Sequence, residues 1–584
     1  ADMLRQYSVV IVTSTLFSLF VSFTIVPLLT SRFSKLERIK GKTIFGKAIL
    51  GFETFLENLT DELIKALRLA FNYKYLALFI AFLLFSSSFL LIYFGLIGIE
   101  FTKAGDRSEF LIEVELPKDA SLAKTNKVVE QVEEYLKRFP EVENIFTTVG
   151  ITSSGRIEFN TSYLAELNIR LVDKSQRELS TSLFARKVKH DLESDIPGII
   201  IRPVDINLIG LKDDDAVQVT ITGTDIEALN TFSESVFELF NDINGTIEVQ
   251  SSLTEGRTEY TVNPDRDIMQ LLGITNAQVG MVLRTAFNGN TDSKFKDKGF
   301  DYDINIQLQE FNRSNVNDIK NLSVVNKEGK VIRIRQFASI EEQESYAKLE
   351  RSNRSPSVTI KSQVIGRPAG TVGRELQRKM DEMVVPAGIT YFFGGQTKRT
   401  MDGLKTMIFA LIIAILLVYM ILVALYDSYV YPFVVLFSIP LAVIGALLAL
   451  ALTMESLSIF SRLGMVMLVG LVGKNAILVV DFTNRLKENG MKWKEALITA
   501  TKLRFRPILM TNITMIIGLL PLALASGAGS EWKNGLAWAL IGGLTSSMFL
   551  TLIIVPVVYF MVERIMEKSG LSNAKKVRIP EDVI

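Results

Sequence analysis

The chain has 584 residues, 48% hydrophobic and 22% charged, with a net charge of +1 and a mean hydropathy of +0.28. A mean this apolar with ordinary charge content implies membrane spans joined to a substantial soluble part, and the near-neutral balance gives no support for nucleic-acid binding. No cysteine is present, which excludes disulfides and thiol chemistry. The single histidine, His190, lies on a polar helical stretch and reads as a surface residue, because a metal site needs several clustered ligands.

The chain opens ADMLRQYS, directly before an apolar run at 9–29. That run is too long for a signal peptide and lacks a small-residue cleavage site, so the opening reads as the interior of a larger protein. Basic residues follow at Arg32, Lys35, Arg38, Lys40, Lys42 and Lys47. From 45 to 71 apolar residues recur at helical spacing (Leu56, Leu59, Leu63, Leu67, Ala70), which predicts an amphipathic helix on the membrane face. A second span is predicted at 75–97, and the basic linker between the two spans is placed in the cytoplasm by the positive-inside rule.

Residues 98–399 contain no span and are expected on the opposite side. Strand, helix and strand patterns at 110–116, 122–139 and 142–149 repeat at 163–172, 182–194 and 198–204, the split β-α-β arrangement of a ferredoxin-like unit. A second unit begins with a strand at 217–222, a helix at 226–241 and a strand at 247–251. It is interrupted from Pro264 to about Tyr346, then resumes with a strand at 357–364 and a helix at 372–383. A structureless loop of that length is rare in compact domains, so an inserted subdomain is expected.

Five more spans are predicted, at 404–426, 431–452, 459–480, 507–525 and 536–562. The loop at 484–506 carries Arg485, Lys487, Lys492, Lys494, Lys502, Arg504 and Arg506, whereas 526–534 has only Lys533. The first loop is therefore cytoplasmic and the second external, and the basic tail from Arg564 returns to the cytoplasm. Within the span IFSRLGMVMLVGLVGKNAILVVD, Lys474 and Asn475 fall near the middle. A lysine there costs about 2.5 to 3.5 kcal/mol on insertion scales, and such residues usually face a partner, a cavity or an ion path. Snorkelling to the interface is the competing reading. Asp481 lies about 10 Å further along the helix and cannot touch Lys474 directly, so it reads as an interface anchor, as does Asp427.

Five segments, in order, resemble one family. They are KLERSNRSPSVTI (348–360), ALYDSYVYPFVVLFSIPLAVIGALL (424–448), GLVGKNAILVVDF (470–482), RFRPILMT (504–511) and SGAGSEWKNGLA (526–537). They are similar to the C-terminal membrane half of resistance-nodulation-division (RND) exporters, on the hydrophobe/amphiphile branch that includes acriflavine resistance protein B. The resemblance covers essentially the whole chain. It implies a membrane α-helical bundle plus an α+β periplasmic domain, with ferredoxin-like porter subdomains and an inserted docking subdomain. The expected boundaries are 1–31 for the family's sixth span, 32–74 for a cytoplasmic amphipathic linker and 75–97 for the next span. One porter subdomain takes 98–205, the other 206–262 with 353–399, and the docking insert 263–352. Five spans fill 400–562, and 563–584 is a cytoplasmic tail.

What the resemblance implies functionally is proton-motive-force-driven export of hydrophobic or amphiphilic compounds, not catalysis, with no cofactor and no metal. The alternatives are a non-transporting scaffold or partner subunit, or a lipid- or metal-ion-exporting relative. Implied partners are the N-terminal half of the transporter, a homotrimeric assembly, a periplasmic adaptor, an outer-membrane channel and a small-molecule substrate. The setting is the inner membrane of a Gram-negative bacterium. In the family a lysine on the tenth span bridges a pair of aspartates on the fourth; that lysine matches Lys474, and Arg504 and Thr511 match further relay positions. The matching aspartates do not occur in these residues. Asn475 reads equally as a relay group or a helix-helix hydrogen bond, Arg504 partly as a topology anchor, and Thr511 as a back-bonded membrane threonine. Glycines 464, 470, 473, 542 and 543 read as close-packing positions. The stretch matching the family's aromatic substrate pocket and switch loop is IFTTVGITSSGRIEFN, which supplies Phe146, Ile151 and Phe159, fewer aromatics than broad drug binding would want. A copper(I) or silver exporter would want a methionine cluster, and Met269, Met281, Met380 and Met383 are scattered.

Overall fold

The computed structural model describes residues 2–33, 44–103, 105–117, 120–153, 158–206, 215–253, 257–345, 350–527 and 529–568. Lys35, Arg38, Lys40, Lys42 and Lys348, the loop at 154–157 and the tail from 569 lie outside the described residues.

The chain begins with helices α1 (Asp2–Phe23), α2 (Ile25–Phe33), α3 (Ile44–Asn72) and α4 (Lys74–Tyr93). An α+β unit follows: β1 (Glu109–Glu115), α5 (Leu122–Leu136), β2 (Val142–Ser153), β3 (Glu158–Leu171), α6 (Thr181–Asp195) and β4 (Ile200–Asp205). Its helices start where side chains satisfy the orphan N–H groups of a first turn: Ser121 accepts from Lys124 and Ser180 from Leu183. The strands form an antiparallel sheet in the order β2-β3-β1-β4. Along β1 burial alternates, with Phe110, Ile112 and Val114 packed under both helices against Val129, Val132, Phe184 and Val188.

The second sheet is assembled from two separated stretches. β5 (Val217–Gly223), α7 (Ile226–Asp242) and β6 (Thr246–Ser251) precede the interruption, while β13 (Glu350–Ser352), β14 (Ser355–Val364), α11 (Ala369–Asp381) and β15 (Ile389–Gly394) follow it. The strand order is β13-β14-β5-β15, with β6 also on β14. Between them lie β7 (Arg257–Pro264), α8 (Arg266–Leu272), α9 (Asn276–Phe287), β8 (Asn290–Asp297), β9 (Phe300–Ile306), α10 (Val316–Asn321), β10 (Ser323–Val325), β11 (Val331–Arg333) and β12 (Ala338–Ser345). The stem strands β7 and β12 pair with each other, Arg257 opposite Ser345 at one end and Pro264 opposite Ala338 at the other. A small core of Met269, Ile274, Val279, Val324, Ile334 and Phe337 closes the insert on itself.

The chain then returns to long apolar helices: α12 (Gly395–Tyr426), α13 (Val430–Leu436), α14 (Ser438–Leu452), α15 (Ile459–Glu488), α16 (Trp493–Ala523) and α17 (Glu531–Lys568). Among the described residues, seven stretches are long and apolar enough to cross a membrane, counting Ser8–Phe33 once and α13 with α14 once. Several helices outrun their apolar cores. Thus α16 starts 14 residues before the expected span at Pro507 and carries Pro507 inside it, because the amphipathic stretch of the loop continues the helix. The apolar stripe of α3, expected on the membrane face, packs on protein along part of its length. Leu56, Leu59 and Leu63 pack on Phe505, Ile508 and Leu509 of α16 and Leu552 of α17, while Phe52, Phe55 and Leu69 stay exposed.

Candidate functional site

Helix α15 is capped by Ser458, whose hydroxyl accepts from the Ser461 N–H. Its buried face, including Gly464, Leu468 and Val472, packs on Leu536, Leu540 and Leu544 of α17. Lys474 is rotated about 100° from Asn475, so it is half-buried at the edge of this face, toward α16. Its Nζ lies 3.3 Å from the Met515 Sδ. A thioether is a weak acceptor and an ammonium carries three donors, so this contact leaves most of the cation's hydrogen-bonding capacity unused. Among the described residues no carboxylate pairs with Lys474. Asp481 is held instead by Arg485, 3.0 Å away on the next turn.

Asn475 is buried and donates through Nδ2 to the Asn512 Oδ1 of α16 at 3.4 Å. Asn475 Oδ1 and Asn512 Nδ2 are buried without a hydrogen-bond partner. One residue earlier on α16, Thr511 is engaged with its own helix through the Ile508 carbonyl at 3.0 Å. Arg504 lies about two turns toward the other end of α16. Its guanidinium stacks on Phe482 at 4.3 Å, and its Nε is buried and unpartnered. The structure therefore brings Lys474 and Asn475 to the seam with α16, with Thr511 adjacent, and leaves Arg504 apart. Asn512 and Met515 complete the seam without having stood out in the sequence; an asparagine in the apolar run ILMTNITM is the signal that marks the first.

Two other buried polar clusters flank the bundle. At one end Glu563, 3% exposed, accepts from Tyr431 at 2.8 Å and from Lys487, and Tyr559 donates to Asn484 at 2.7 Å. At the other end Glu100 accepts from Ser456, and Arg462, 2% exposed, donates to the carbonyls of Ser458 and Glu100, both at 3.0 Å. Burial pushes the Glu100 carboxyl above the ordinary carboxylate value, against the Ser456 hydrogen bond and Lys103, which pull it down.

In the first sheet, Phe146 is 72% exposed on β2, on the sheet face turned away from α5. The backbone of Ile151 pairs with Asn160, and Thr152 with Phe159. The strand register thus brings the two stretches alongside each other, with the undescribed loop between them. No group of three or more potential metal ligands occurs among the described His, Cys, Asp and Glu residues.

Two solved structures of a heavy metal efflux pump are similar in fold. One crystal form matches with a TM-score of 0.74 at 24% identity over 87% of this chain and 53% of that chain. The other gives 0.73 at 24% over 88% and 52%. The chain thus spans about half the length of the pump structures it matches. Residues 1–563 match the AcrB/AcrD/AcrF family, and the chain belongs to that family, one of RND efflux transporters rather than enzymes.

Proposed function

We propose that this chain is the C-terminal portion of a proton-motive-force-driven exporter that moves hydrophobic or amphiphilic compounds from the periplasm or inner membrane toward an outer-membrane channel. The observation that carries the reading is Lys474, a cation held mid-span against a thioether. A buried membrane charge is expensive and marks an ion path or a partner. A carboxylate pair that alternates between charged and neutral needs a movable counter-cation, and a compact ammonium on a flexible stem suits that role. The face of α15 carrying Lys474 also carries Gly470, exposed and with nothing near its Cβ position. The N-terminal half of the transporter is the partner proposed for that face. The Asn475–Asn512 pair and Thr511 line the same seam, and Arg504 stands toward its cytoplasmic end.

In this reading the two sheets are porter subdomains and the β7–β12 insert is the docking subdomain. The assembly is an inner-membrane homotrimer with a periplasmic adaptor, and Phe146, Ile151 and Phe159 contribute to the substrate path. Metal export is the second reading, favoured by the likeness in fold to the two structures of a heavy metal efflux pump. The methionines weigh against it: Met269 and Met380 are core residues, and Met281 is 69% exposed. The test is Lys474→Ala in the complete transporter, with export of amphiphilic dyes and of copper(I) or silver(I) measured side by side. Loss of dye export with normal membrane abundance supports the proposal. Unchanged export sinks it, and loss confined to the metal transfers the mechanism to the second reading.

A further inference from the structure

The strap that leaves α4 for β1 does more than connect them. Ile97 and Ile99 are buried among Leu457, Met465 and Leu468. Ile99 forms a parallel bridge with Leu457, the Leu457 N–H donates to the Gly98 carbonyl at 2.7 Å, and the Ile459 N–H donates to the Phe101 carbonyl at 2.9 Å. On its other side the strap touches the second sheet's unit. A Cβ on Gly98 would sit 2.1 Å from Pro368, and one on Gly370 would sit 2.5 Å from the Ile99 carbonyl. Lys103 pairs with Glu455 at 3.0 Å, and its carbonyl accepts from Trp532 Nε1 at 2.8 Å.

Arg462 fastens this strap to α15. Its Nε holds the Ser458 carbonyl on the helix and its Nη2 the Glu100 carbonyl on the strap. Among the described residues no carboxylate neutralises it. A buried charge satisfied only by neutral carbonyls is a poor stabiliser, and an apolar residue of similar volume would serve stability as well. What the guanidinium offers is a rigid fork that grips two backbone segments at once, which a lysine cannot do. Arg462 and Lys474 lie about 18 Å apart along one helix, and no proline interrupts α15, whereas α16 and α17 both contain proline.

We propose that Arg462 is the positioning residue that transmits displacement of α15 to the strap and thence to the soluble subdomains, so that it couples proton movement to porter movement. This rests on the proton-driven reading above, and the experiment separates the two. The complete transporter, in a cysteine-free background, carries fluorophores at Leu183→Cys and Ile226→Cys, exposed positions on α6 and α7. Reconstituted in liposomes, it is given a pH gradient, while proton influx and energy transfer between the labels are recorded. With Arg462 intact, the gradient is expected to drive influx and to change the transfer efficiency. With Arg462→Met, influx should stay within about twofold while the transfer change falls at least fivefold. Arg462→Lys, which reaches one carbonyl, is scored in the same way should the methionine variant misfold. Influx lost together with the transfer change, or the change retained, overturns the assignment; so does influx without any transfer change when Arg462 is intact. Lys474→Ala should lose both signals. Normal influx in that variant defeats the proton-coupling reading instead.

Discussion

Asp106 sits below the first turn of α6 with its polar neighbours aimed at it. The Thr181 hydroxyl donates at 2.6 Å and the Thr181 N–H at 3.0 Å; the Ser108 N–H donates at 3.0 Å, and Arg177 supplies a buried guanidinium. Burial alone would raise the carboxyl, but these donors outweigh it and hold it below the ordinary carboxylate value. A group depressed in this way stabilises the fold above its unfolded pKa, and the contribution disappears as pH falls through the folded value. Asp106→Asn leaves Arg177 buried without its counter-charge and is expected to cost about 3 to 5 kcal/mol near neutral pH. Thermal unfolding of the purified protein checks this, and the gap between parent and variant should narrow on acidification. At this scale the sequence is uneven. Lys474 is legible because hydropathy isolates it, and the same holds for Asn475. Arg462 is not, because an arginine four residues into a span reads as an interface anchor until the strap, 362 residues away in sequence, is seen against it. Asn512 needs the pairing of two helices before its role is visible.

Glycine packing belongs to the scale of elements. A Cβ on Gly542 of α17 would lie 2.3 Å from the Gly445 carbonyl of α14 and 2.4 Å from the Ala449 Cβ. Backbone cannot yield as a flexible side chain does, so Gly542→Ala must part the helices, at a cost of about 1 to 3 kcal/mol. A lowered unfolding temperature in detergent would show it, and Gly470→Ala, with nothing within 4 Å, should leave that temperature near the parent's. Close packing therefore holds for Gly464, Gly542 and Gly543, but a Cβ on Gly470 or on the buried Gly473 would meet nothing within 4 Å among the described residues. Composition alone does not separate these two groups, because apposition is decided by how helices cross. Strand and helix periods did locate most elements of the first sheet. β15 was less accessible, since ITYFFG runs straight into α12 at Gly395 with no loop between strand and helix. Inside the insert, short strands and exposed hairpins carry little periodicity: every residue of β9 is exposed.

At the scale of the whole molecule, the insert is a separable module, because its stem strands pair with each other and its core contains its own residues. Replacing 258–344 by a short glycine-serine linker is expected to leave the second sheet folded, since β5, β14 and β15 keep all their partners. Limited proteolysis would report that, and the proposed docking role requires that export be lost in the same variant. The strap between α4 and β1 carries a different consequence, one of biosynthesis. Its partners, Glu100 and Ser456, are 356 residues apart in the chain. At roughly 5 to 20 residues per second, α4 emerges about 20 to 70 s before the loop that receives its strap. During that interval the α4 residue Ala81, buried in the finished fold in one cluster with Leu441 and Ile444 of α14, lacks that partner helix. The nascent chain therefore spends that interval with one half of a membrane joint made and the other not yet translated.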